Sequence, residues 1–226
     1  MEEISEVISV THLSFGYSST PVLKNLSLVV KRGENIGIVG ANGTGKTTLL
    51  KILLGLLKPW EGQITILGKK MLSNQDRVFA KKHTSYVPQE RIIGKMPISV
   101  YDAVLLGRYA VGFKGIKKPT QKDRELVDEA LEVVGLKDLY RSDVSTLSGG
   151  QLQRMAIARG LVREAPIMFL DEPIAHLDKF GKEEIPLLLE KIHSKRKLSM
   201  ITITHENINM NFDRVFNLQA GYLKEI

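Results

Sequence analysis

Gly40-Ala41-Asn42-Gly43-Thr44-Gly45-Lys46-Thr47 is the stretch that decides the fold, because glycines at this spacing before lysine and threonine form the Walker A pattern. The glycines let the backbone curl around phosphate oxygens, and amide groups of the loop and of the following helix point at them. We predict that Lys46 bridges the β- and γ-phosphates and that the Thr47 hydroxyl binds Mg²⁺. The alternative is a glycine-rich turn with an incidental lysine.

The sequence on either side of this loop favours phosphate binding over an incidental turn. Residues 35–39 form a predicted strand that runs directly into the glycines. Residues 47–57 form a predicted helix, with leucines at helical spacing and Pro59 beyond its end. Further upstream, residues 7–10 and 26–30 alternate as strands do. The predicted order is therefore strand, phosphate loop, helix.

The rest of the chain predicts an inserted helical region followed by alternating strands and helices. Apolar residues recur at helical spacing within residues 97–137, in two segments separated by a glycine- and lysine-rich loop at 107–119. Residues 167–170 are predicted as a strand, 183–193 as a helix and 199–204 as a strand. This alternation predicts an α/β fold with a mainly parallel sheet.

Two adjacent carboxylates, Asp171 and Glu172, follow the apolar strand predicted at 167–170. Adjacent acids are ordinarily a solvated turn, but this strand has no polar face and delivers the acids to its carboxyl end, where nucleotide sites form. Asp171 is suited to hold Mg²⁺, and Glu172 to accept a proton from an attacking water. Together with the phosphate loop, the pair predicts a nucleoside triphosphatase.

Composition narrows the class of protein without choosing the function. The 226 residues include no cysteine, which excludes disulfides, thiol catalysis and cysteine-ligated metal sites. The net charge of +7 would favour nucleotides, nucleic acid or an anionic membrane surface, but the basic residues are scattered, which favours a solvated surface. The N-terminus lacks the pattern of a signal peptide, and the longest apolar stretches are shorter than the roughly 20 residues that span a bilayer.

A second glycine-rich segment, Leu147-Ser148-Gly149-Gly150-Gln151, precedes a helix predicted to start near Leu152. Between the phosphate loop and the carboxylate strand, this pentapeptide resembles the signature motif of ABC ATPases. A hydroxyl, flexible amides and a positive helix end would make a second anion site. In that family two ATPases pair head to tail, and each ATP lies between one Walker A motif and the other subunit's signature, so the resemblance implies a homodimer.

Other elements of the ABC pattern follow in order along the chain. Tyr17 resembles the aromatic residue that stacks on adenine, although it could be a strand-end tyrosine in a hairpin. Gln89 resembles the Q-loop glutamine that contacts Mg²⁺ and the water site and links the core to the helical subdomain. Asp178 resembles the D-loop aspartate at the dimer interface. His205 resembles the switch histidine that binds the γ-phosphate, although an isolated histidine is more often structural.

The resemblance implies a fold, a division of the chain and a set of site residues. The expected fold is a P-loop NTPase core with a mainly parallel sheet, an N-terminal antiparallel β subdomain and an inserted α-helical subdomain. One domain would span 1–226, with the core and β subdomain at 1–95 and 160–226 and the helical subdomain at about 96–159. The expected catalytic residues are Lys46, Gln89, Glu172 and His205, the Mg²⁺ ligands Thr47, Gln89 and Asp171, and the ATP-binding residues Tyr17, Gly40, Ala41, Asn42, Gly43, Thr44, Gly45, Lys46, Thr47, Thr48, Ser148, Gly149, Gly150, Gln151 and Asp178.

The departures from the family pattern are few. Ala41 replaces a proline often seen after the first glycine of the phosphate loop. Pro186 is predicted to lie in the first turn of the helix after Asp178, where a missing N–H costs little.

The resemblance favours an importer of zinc or manganese as the transporter, with a siderophore or cobalamin importer as the alternative. The sequence at 96–109 is similar to that of the ATPases of importers of metal ions and of metal chelates. The sequence at 118–131 is similar to that of the zinc and manganese branch, whereas His176 is also found in the siderophore and cobalamin branch. Such an importer implies an integral membrane permease, an extracytoplasmic solute-binding protein and a peripheral place on the cytoplasmic face of the cell membrane. The alternatives are an exporter ATPase and a non-transport ABC ATPase of DNA repair or the ribosome, whose coiled coils or tandem domains do not fit this length. No nucleic acid partner is expected.

Overall fold

The computed structural model describes residues 5–89, 97–109, 118–205 and 209–226. The strands are β1 (Glu6–Phe15), β2 (Leu23–Lys31), β3 (Asn35–Val39), β4 (Glu61–Ile66), β5 (Lys69–Lys70), β6 (Thr84–Val87), β7 (Ile167–Asp171), β8 (Ser199–Thr204), β9 (Arg214–Gln219) and β10 (Tyr222–Glu225). The helices are α1 (Lys46–Leu53), α2 (Asn74–His83), α3 (Val100–Tyr109), α4 (Gln121–Val133), α5 (Gly149–Leu161) and α6 (Lys179–Arg196). The predicted strands at 35–39 and 199–204 have these same bounds.

The central sheet has the strand order β10-β9-β3-β8-β7-β6. Strands β9, β3, β8, β7 and β6 run parallel, and β10 pairs antiparallel at one edge. All residues of β7 and β8 are buried, which explains their almost continuous apolar sequence. The prediction of a mainly parallel sheet is therefore confirmed, and the carboxyl ends of β3, β8, β7 and β6 meet at one edge of it.

A second sheet, with the order β2-β1-β4-β5, is antiparallel. Its apolar side chains pack with those of α1 and with one face of the central sheet, where Ile38, Phe169 and Ile201 are buried. This is the antiparallel β subdomain that was expected. It lies beside the phosphate loop, because Leu23 at the start of β2 and the preceding Val22 pack against Gly45.

Helices α3, α4 and α5 form a layer on the other side of the central sheet. Val104, Leu131 and Ile157 belong to its apolar core, which continues to Met168 and Leu170 of β7. The predicted helical subdomain is thus present, and α5 joins it to the sheet. The loop predicted at 107–119 begins later, since 107–109 belong to α3, and most of it lies outside the described residues.

Helix α1 ends at Leu53, so the predicted end at residue 57 is wrong. Gly55 has a left-handed backbone (φ +70°), its N–H donates to the Ile52 carbonyl, and the Leu56 N–H donates to the Lys51 carbonyl. This is a Schellman motif, in which glycine ends a helix at low steric cost. The glycine, rather than the later Pro59, therefore ends the helix.

Two further helix boundaries differ from the predictions. Helix α5 begins at Gly149 rather than near Leu152, because the Ser148 side chain caps it. Helix α6 begins at residue 179, where Asp178 is the N-cap, so Pro186 lies in the helix interior and not in its first turn. The helix continues through this proline, whose ring is buried, although it cannot donate a helical hydrogen bond there.

Candidate functional site

The phosphate loop joins β3 to α1 at the carboxyl edge of the central sheet. Gly45 precedes α1 with a left-handed backbone (φ +103°), and a Cβ there would lie 2.9 Å from side-chain atoms of Val22 and Leu23. A Cβ on Gly40 would overlap the Leu218 carbonyl oxygen of β9. Both positions therefore require glycine, and the loop is held closely between β2 and β9.

Lys46 is buried at the start of α1, with 6% of its surface exposed. Its Nζ donates to the carbonyl oxygens of Gly40 (2.7 Å) and Ala41 (3.0 Å), so the lysine closes the loop on itself. Burial lowers the pKa of Lys46, and the charges of Glu172 and Asp171 oppose that effect. A buried ammonium with several donors is suited to bind phosphate oxygens.

Asp171, the last residue of β7, is 2% exposed. The Tyr86 hydroxyl of neighbouring β6 donates to its Oδ2 (3.1 Å), while its Oδ1 is buried without a hydrogen-bond partner among the described residues. Burial raises the pKa of this carboxyl, and the Tyr86 hydrogen bond only partly offsets the effect. A buried acceptor with no donor is costly in a protein, and a cation would relieve that cost.

The predicted Mg²⁺ ligands suit a cation that is held partly by substrate phosphates and water, rather than one held by protein side chains alone. Within the described part of the chain, no group of three or more histidine and acidic side chains could hold a metal ion. Mg²⁺ is usually held by one or two carboxylates together with substrate phosphates and water. Asp171, Thr47 and Gln89 supply a donor set of that kind.

Glu172 follows β7 with a left-handed backbone (φ +49°), which is a strained conformation for glutamate. Its N–H donates to the Ile203 carbonyl (2.8 Å), which directs the side chain toward β8. Oε1 lies 2.7 Å from Nδ1 of His205 and 3.9 Å from Nζ of Lys46, and Oε2 accepts from the His205 amide (3.3 Å). The structure thus brings together three of the four predicted catalytic residues.

The phosphate loop opens into a cleft of about 330 Å³. It is lined by Tyr17, Val22, Asn42, Gly43, Gly45, Lys46, Thr47, Thr48, Gln89 and Glu172. Gln89, the fourth predicted catalytic residue, therefore faces the same space as Lys46 and Glu172. The Tyr17 hydroxyl lies 3.2 Å from Oγ1 of Thr48, and the tyrosine is 65% exposed at the mouth of the cleft.

The signature residues and Asp178 do not line this cleft in the described part of the chain. The Ser148 hydroxyl caps α5 by accepting from the Gln151 amide (3.3 Å), and the Gln151 side chain accepts from the Ser148 amide (2.8 Å). Asp178 caps α6 by accepting from the Gly181 amide (2.8 Å). Both segments end at the protein surface, so one chain contributes two separate groups of predicted site residues.

The sequence analysis missed two residues that contribute to the site. Tyr86 orients Asp171, and Val22 lines the cleft and packs against Gly45. Tyr86 carried no local signal, because only the strand order of the folded sheet places β6 beside β7. Val22 carried none, because only the folded β subdomain brings it to the phosphate loop.

The chain is similar to known proteins of one family. The ABC transporter family profile matches residues 23–175. The high-affinity zinc uptake system ATP-binding protein ZnuC of Bacillus subtilis is 34% identical over 219 residues, covering 95% of this chain and 92% of that protein. The manganese transport system ATP-binding protein MntB of Listeria monocytogenes is 37% identical over 216 residues, covering 95% of this chain and 82% of that protein.

Solved structures agree with the fold and extend the likeness to assemblies. The cbiO1 protein of Clostridium perfringens, part of the ABC transporter complex cbiONQ, has a TM-score of 0.87 at 33% identity, covering 97% of this chain and 87% of that one. A dimeric ATP-binding cassette in a post-hydrolysis state with ADP and Pi has a TM-score of 0.82 at 27% identity, covering 97% of both chains. With its phosphate loop, carboxylate pair and signature motif, the chain belongs to the ABC transporter family and is an ATPase of that family.

Proposed function

We propose that this chain is the ATP-hydrolysing subunit of an importer of zinc or manganese ions. The observation that carries the proposal is the full-length likeness to ATP-binding subunits named for zinc uptake and manganese transport, at 34% and 37% identity. The local sequences at 96–109 and 118–131 also resemble those of metal importers. Described residues 97–109 and 118–131 lie in and around α3 and α4 of the helical layer rather than at the phosphate loop.

The proposed working unit is a head-to-tail homodimer with two composite sites. The cleft beside Lys46 gathers phosphate-binding groups, whereas Ser148 stands at an exposed helix N-terminus elsewhere on the chain. A second copy would bring its own Ser148, Gly149, Gly150 and Gln151 to the γ-phosphate, with Asp178 at the interface between the copies. The likeness to a dimeric cassette containing ADP and Pi supports this arrangement.

We propose a separate role for each group around the γ-phosphate. Glu172 is the proton acceptor for the attacking water, and its hydrogen bonds to His205 fix the direction of its carboxylate. Lys46 and His205, together with Ser148 and Gly150 of the partner subunit, stabilise charge on the phosphoryl oxygens. Tyr17 stacks on adenine at the mouth of the cleft.

Mg²⁺ would be held by Thr47, Asp171 and Gln89. Bound there, it would neutralise negative charge on the β- and γ-phosphates. The buried Oδ1 of Asp171 supports this assignment, because the described residues offer it no donor.

Coupling to transport would use the boundary between the core and the helical subdomain. We place the core and β subdomain at 1–95 and 160–226 and the helical subdomain at about 96–159 within one domain. Gln89 lines the cleft and directly precedes the segment leading to α3, so it would report nucleotide state to an integral membrane permease.

No helix among the described residues is long and apolar enough to cross a bilayer. We place the chain on the cytoplasmic face of the cell membrane. An extracytoplasmic solute-binding protein would be an indirect partner of the chain.

A metal-chelate importer of the siderophore or cobalamin type is the second candidate. The likeness to an inward-facing structure named as a metal-chelate type ABC transporter favours it. His176 before Leu177 and Asp178 is the local sequence feature that agrees with this reading.

Uptake measured cargo by cargo tests the proposal. A strain lacking this chain would be supplied with labelled zinc, manganese and cobalamin in turn, and complemented with the wild-type chain or with Glu172→Gln. We expect loss of zinc or manganese uptake, restored only by the wild type. Loss of cobalamin uptake alone would favour the second candidate, and normal uptake of all three would contradict import of zinc, manganese or cobalamin.

A further inference from the structure

Trp60, the one tryptophan in the sequence, lies next to the region that leads into the nucleotide cleft. It directly precedes β4, and its backbone N–H donates to the Ser14 carbonyl of β1 (2.9 Å). Its side chain is 49% exposed, and its ring centroid lies 6.1 Å from that of Phe15. The indole is therefore fixed to the end of β1, the strand that carries the chain to Tyr17.

Gly16 is enclosed between this indole and the turn that follows. A Cβ at residue 16 would lie 2.5 Å from Cη2 and 2.9 Å from Cζ2 of Trp60, and would overlap the Thr20 carbonyl oxygen. The backbone immediately before Tyr17 thus packs against the six-membered ring of the indole on one side and a carbonyl on the other. Such packing restricts where the next side chain can point.

Phe15 provides a second connection between the indole and the tyrosine. Its ring is 6% exposed and meets the Tyr17 ring edge to face, with centroids 5.2 Å apart and an interplanar angle of 84°. Edge-to-face pairs at this distance are favourable. Trp60, Phe15 and Tyr17 therefore form one continuous aromatic row, which ends at the mouth of the cleft.

The far end of this row reaches the helix of the phosphate loop. The Tyr17 hydroxyl lies 3.2 Å from Oγ1 of Thr48 in α1, yet 65% of the tyrosine surface remains exposed. A ring held by its contact with Phe15 and by its hydroxyl keeps its accessible surface for a flat partner such as a purine base. The phosphate-binding groups do not belong to the row.

We propose that Trp60 is a positioning residue for the adenine base: it holds Gly16 and Phe15 so that Tyr17 presents its ring to the nucleotide. This rests on the proposed role of Tyr17 in stacking on adenine. Trp60 itself does not line the cleft, so it acts on the base through its neighbours. It should influence binding of the base and leave binding of the triphosphate unaffected.

The test compares two ligands that share the phosphate loop but differ in the base. Affinities of the full chain for ATP and for inorganic tripolyphosphate would be measured by calorimetry, for the wild type, Trp60→Ala, Trp60→Phe and Tyr17→Ala. We expect Trp60→Ala to weaken ATP binding about three- to tenfold and leave tripolyphosphate binding unchanged. Trp60→Phe lacks the ring atoms that contact Gly16 and should give an intermediate loss.

Tyr140→Ala is the matched control, because it removes a part-exposed aromatic ring from the surface beyond α4 and should change neither affinity. Equal weakening of both ligands in Trp60→Ala would overturn the proposal, since it would place the effect on the phosphate loop or the fold. Unchanged ATP affinity in both Trp60 variants would also overturn it. Normal ATP affinity in Tyr17→Ala would instead refute stacking on adenine, a separate failure that lies in the proposed function.

The same tryptophan gives an independent optical readout. Because it is the chain's one tryptophan, all tryptophan emission reports on its surroundings. We expect ATP to change the intensity or wavelength of that emission in the wild type, and tripolyphosphate to change it much less. In Tyr17→Ala the ATP-induced change should be largely lost, and a full change there would contradict a connection through the aromatic row.

Discussion

The N-termini of α1 and α5 both contain glycine, with Gly45 before α1 and Gly149 and Gly150 in the first turn of α5, but the two helix ends are stabilised differently. At α1 the N-cap is Gly45, and no described side chain caps the helix. The buried Lys46, Asp171 and Glu172 lie around that end. At α5 the N-cap is Ser148, which forms a reciprocal capping box with Gln151 at the protein surface.

This difference suggests how one chain can carry two halves of a site. The α1 end leaves its backbone donors to a ligand and collects charges that are costly to bury, so its arrangement serves binding and chemistry rather than stability. The α5 end satisfies the Ser148 and Gln151 amides through its own capping box, which suits a surface proposed to meet a second subunit. The two ends should therefore respond differently to substitution.

The largest effect should come from the α1 side of the comparison, at Glu172. Replacing Glu172 by Gln removes the proton acceptor while keeping its size, and should lower the rate of ATP hydrolysis about 10²- to 10⁴-fold. ATP affinity should change little. Steady-state phosphate release and equilibrium nucleotide binding by the full chain would measure the two quantities.

Glu164→Gln is the matched control for that substitution. Glu164 also has a left-handed backbone (φ +53°), but its carboxylate pairs with Arg108 and Lys122 away from the cleft. Its variant should hydrolyse ATP at the normal rate. Comparable turnover in the two variants would contradict the role of Glu172.

The next effect concerns the α5 side, where Ser148→Ala should separate capping from catalysis. Loss of the cap should cost about 1 kcal/mol of unfolding free energy. Loss of the hydroxyl from the composite site should lower ATP hydrolysis about 10- to 100-fold, with binding to the isolated chain unaffected. Urea unfolding and steady-state hydrolysis would be measured on the same preparations.

Ser73→Ala makes the same chemical change in the same kind of capping box, since Ser73 caps α2 with Asp76. It should lose a similar amount of stability and keep normal hydrolysis. If both variants lost hydrolysis equally, Ser148 would be a structural cap only and the comparison between α1 and α5 would lose its functional meaning.

An effect of opposite sign on stability is expected at Asp171, where the free energy of unfolding should rise while hydrolysis falls. Its pKa is raised by burial, so ionised Asp171 destabilises the folded chain. Asp171→Asn should increase the unfolding free energy of the nucleotide-free chain by about 1–2 kcal/mol while lowering the rate of Mg²⁺-dependent hydrolysis.

The pH dependence of that gain follows from the direction of the pKa shift. An unfolded aspartate ionises near pH 3.9, and the folded one ionises at higher pH, so the penalty is absent in acid and grows as the pH rises above about 4. Urea midpoints measured from pH 4 to pH 8 should show an increasing advantage for Asp171→Asn. A constant or shrinking advantage would contradict the electrostatic explanation.

Much of the α1 half of the site could be predicted from sequence because its groups are consecutive or follow apolar strands. The glycines and Lys46 define the loop, and the bounds of β3 and β8 were predicted because a short segment rich in apolar and β-branched residues is enough for a buried strand. The carboxylate pair follows the same logic. The helix prediction relies on Pro59 for its end, whereas Gly55 ends α1 in the structure.

What the sequence did not predict depends on contacts between distant segments. Strand β6 has only four residues and α2 buries only Ala80, so neither shows a clear apolar period. The contact of Tyr86 with Asp171 requires β6 to lie beside β7, which strand order alone determines. The aromatic row from Trp60 to Tyr17 likewise needs β4 to pair with β1. Local patterns identify the chemical groups, while the packing that orients them is tertiary.

The smallest effect concerns the residue three positions after the N-cap, whose side chain completes the capping box. This residue is neutral in α5 and charged in α4. Gln151 completes the box at Ser148, and Asp123 completes the one at Thr120. Hydrogen bonds from Thr120, then the bond from Arg108, lower the pKa of Asp123 to about 2. Asp123→Asn and Gln151→Ala should each cost about 0.5–1 kcal/mol at pH 7.

Only the charged box should weaken in acid. A carboxyl with a depressed folded pKa stabilises the fold above its unfolded pKa near 3.9 and loses that contribution as the pH falls toward 2. The difference in unfolding free energy between wild type and Asp123→Asn should therefore shrink from pH 5 to pH 3, while that for Gln151→Ala stays level. Because the Gln151 amide is neutral, its contribution to the unfolding free energy through the cap of α5 should not change with pH. A loss of unfolding free energy in Gln151→Ala that varied with pH would show that another titrating group contributes to that helix end.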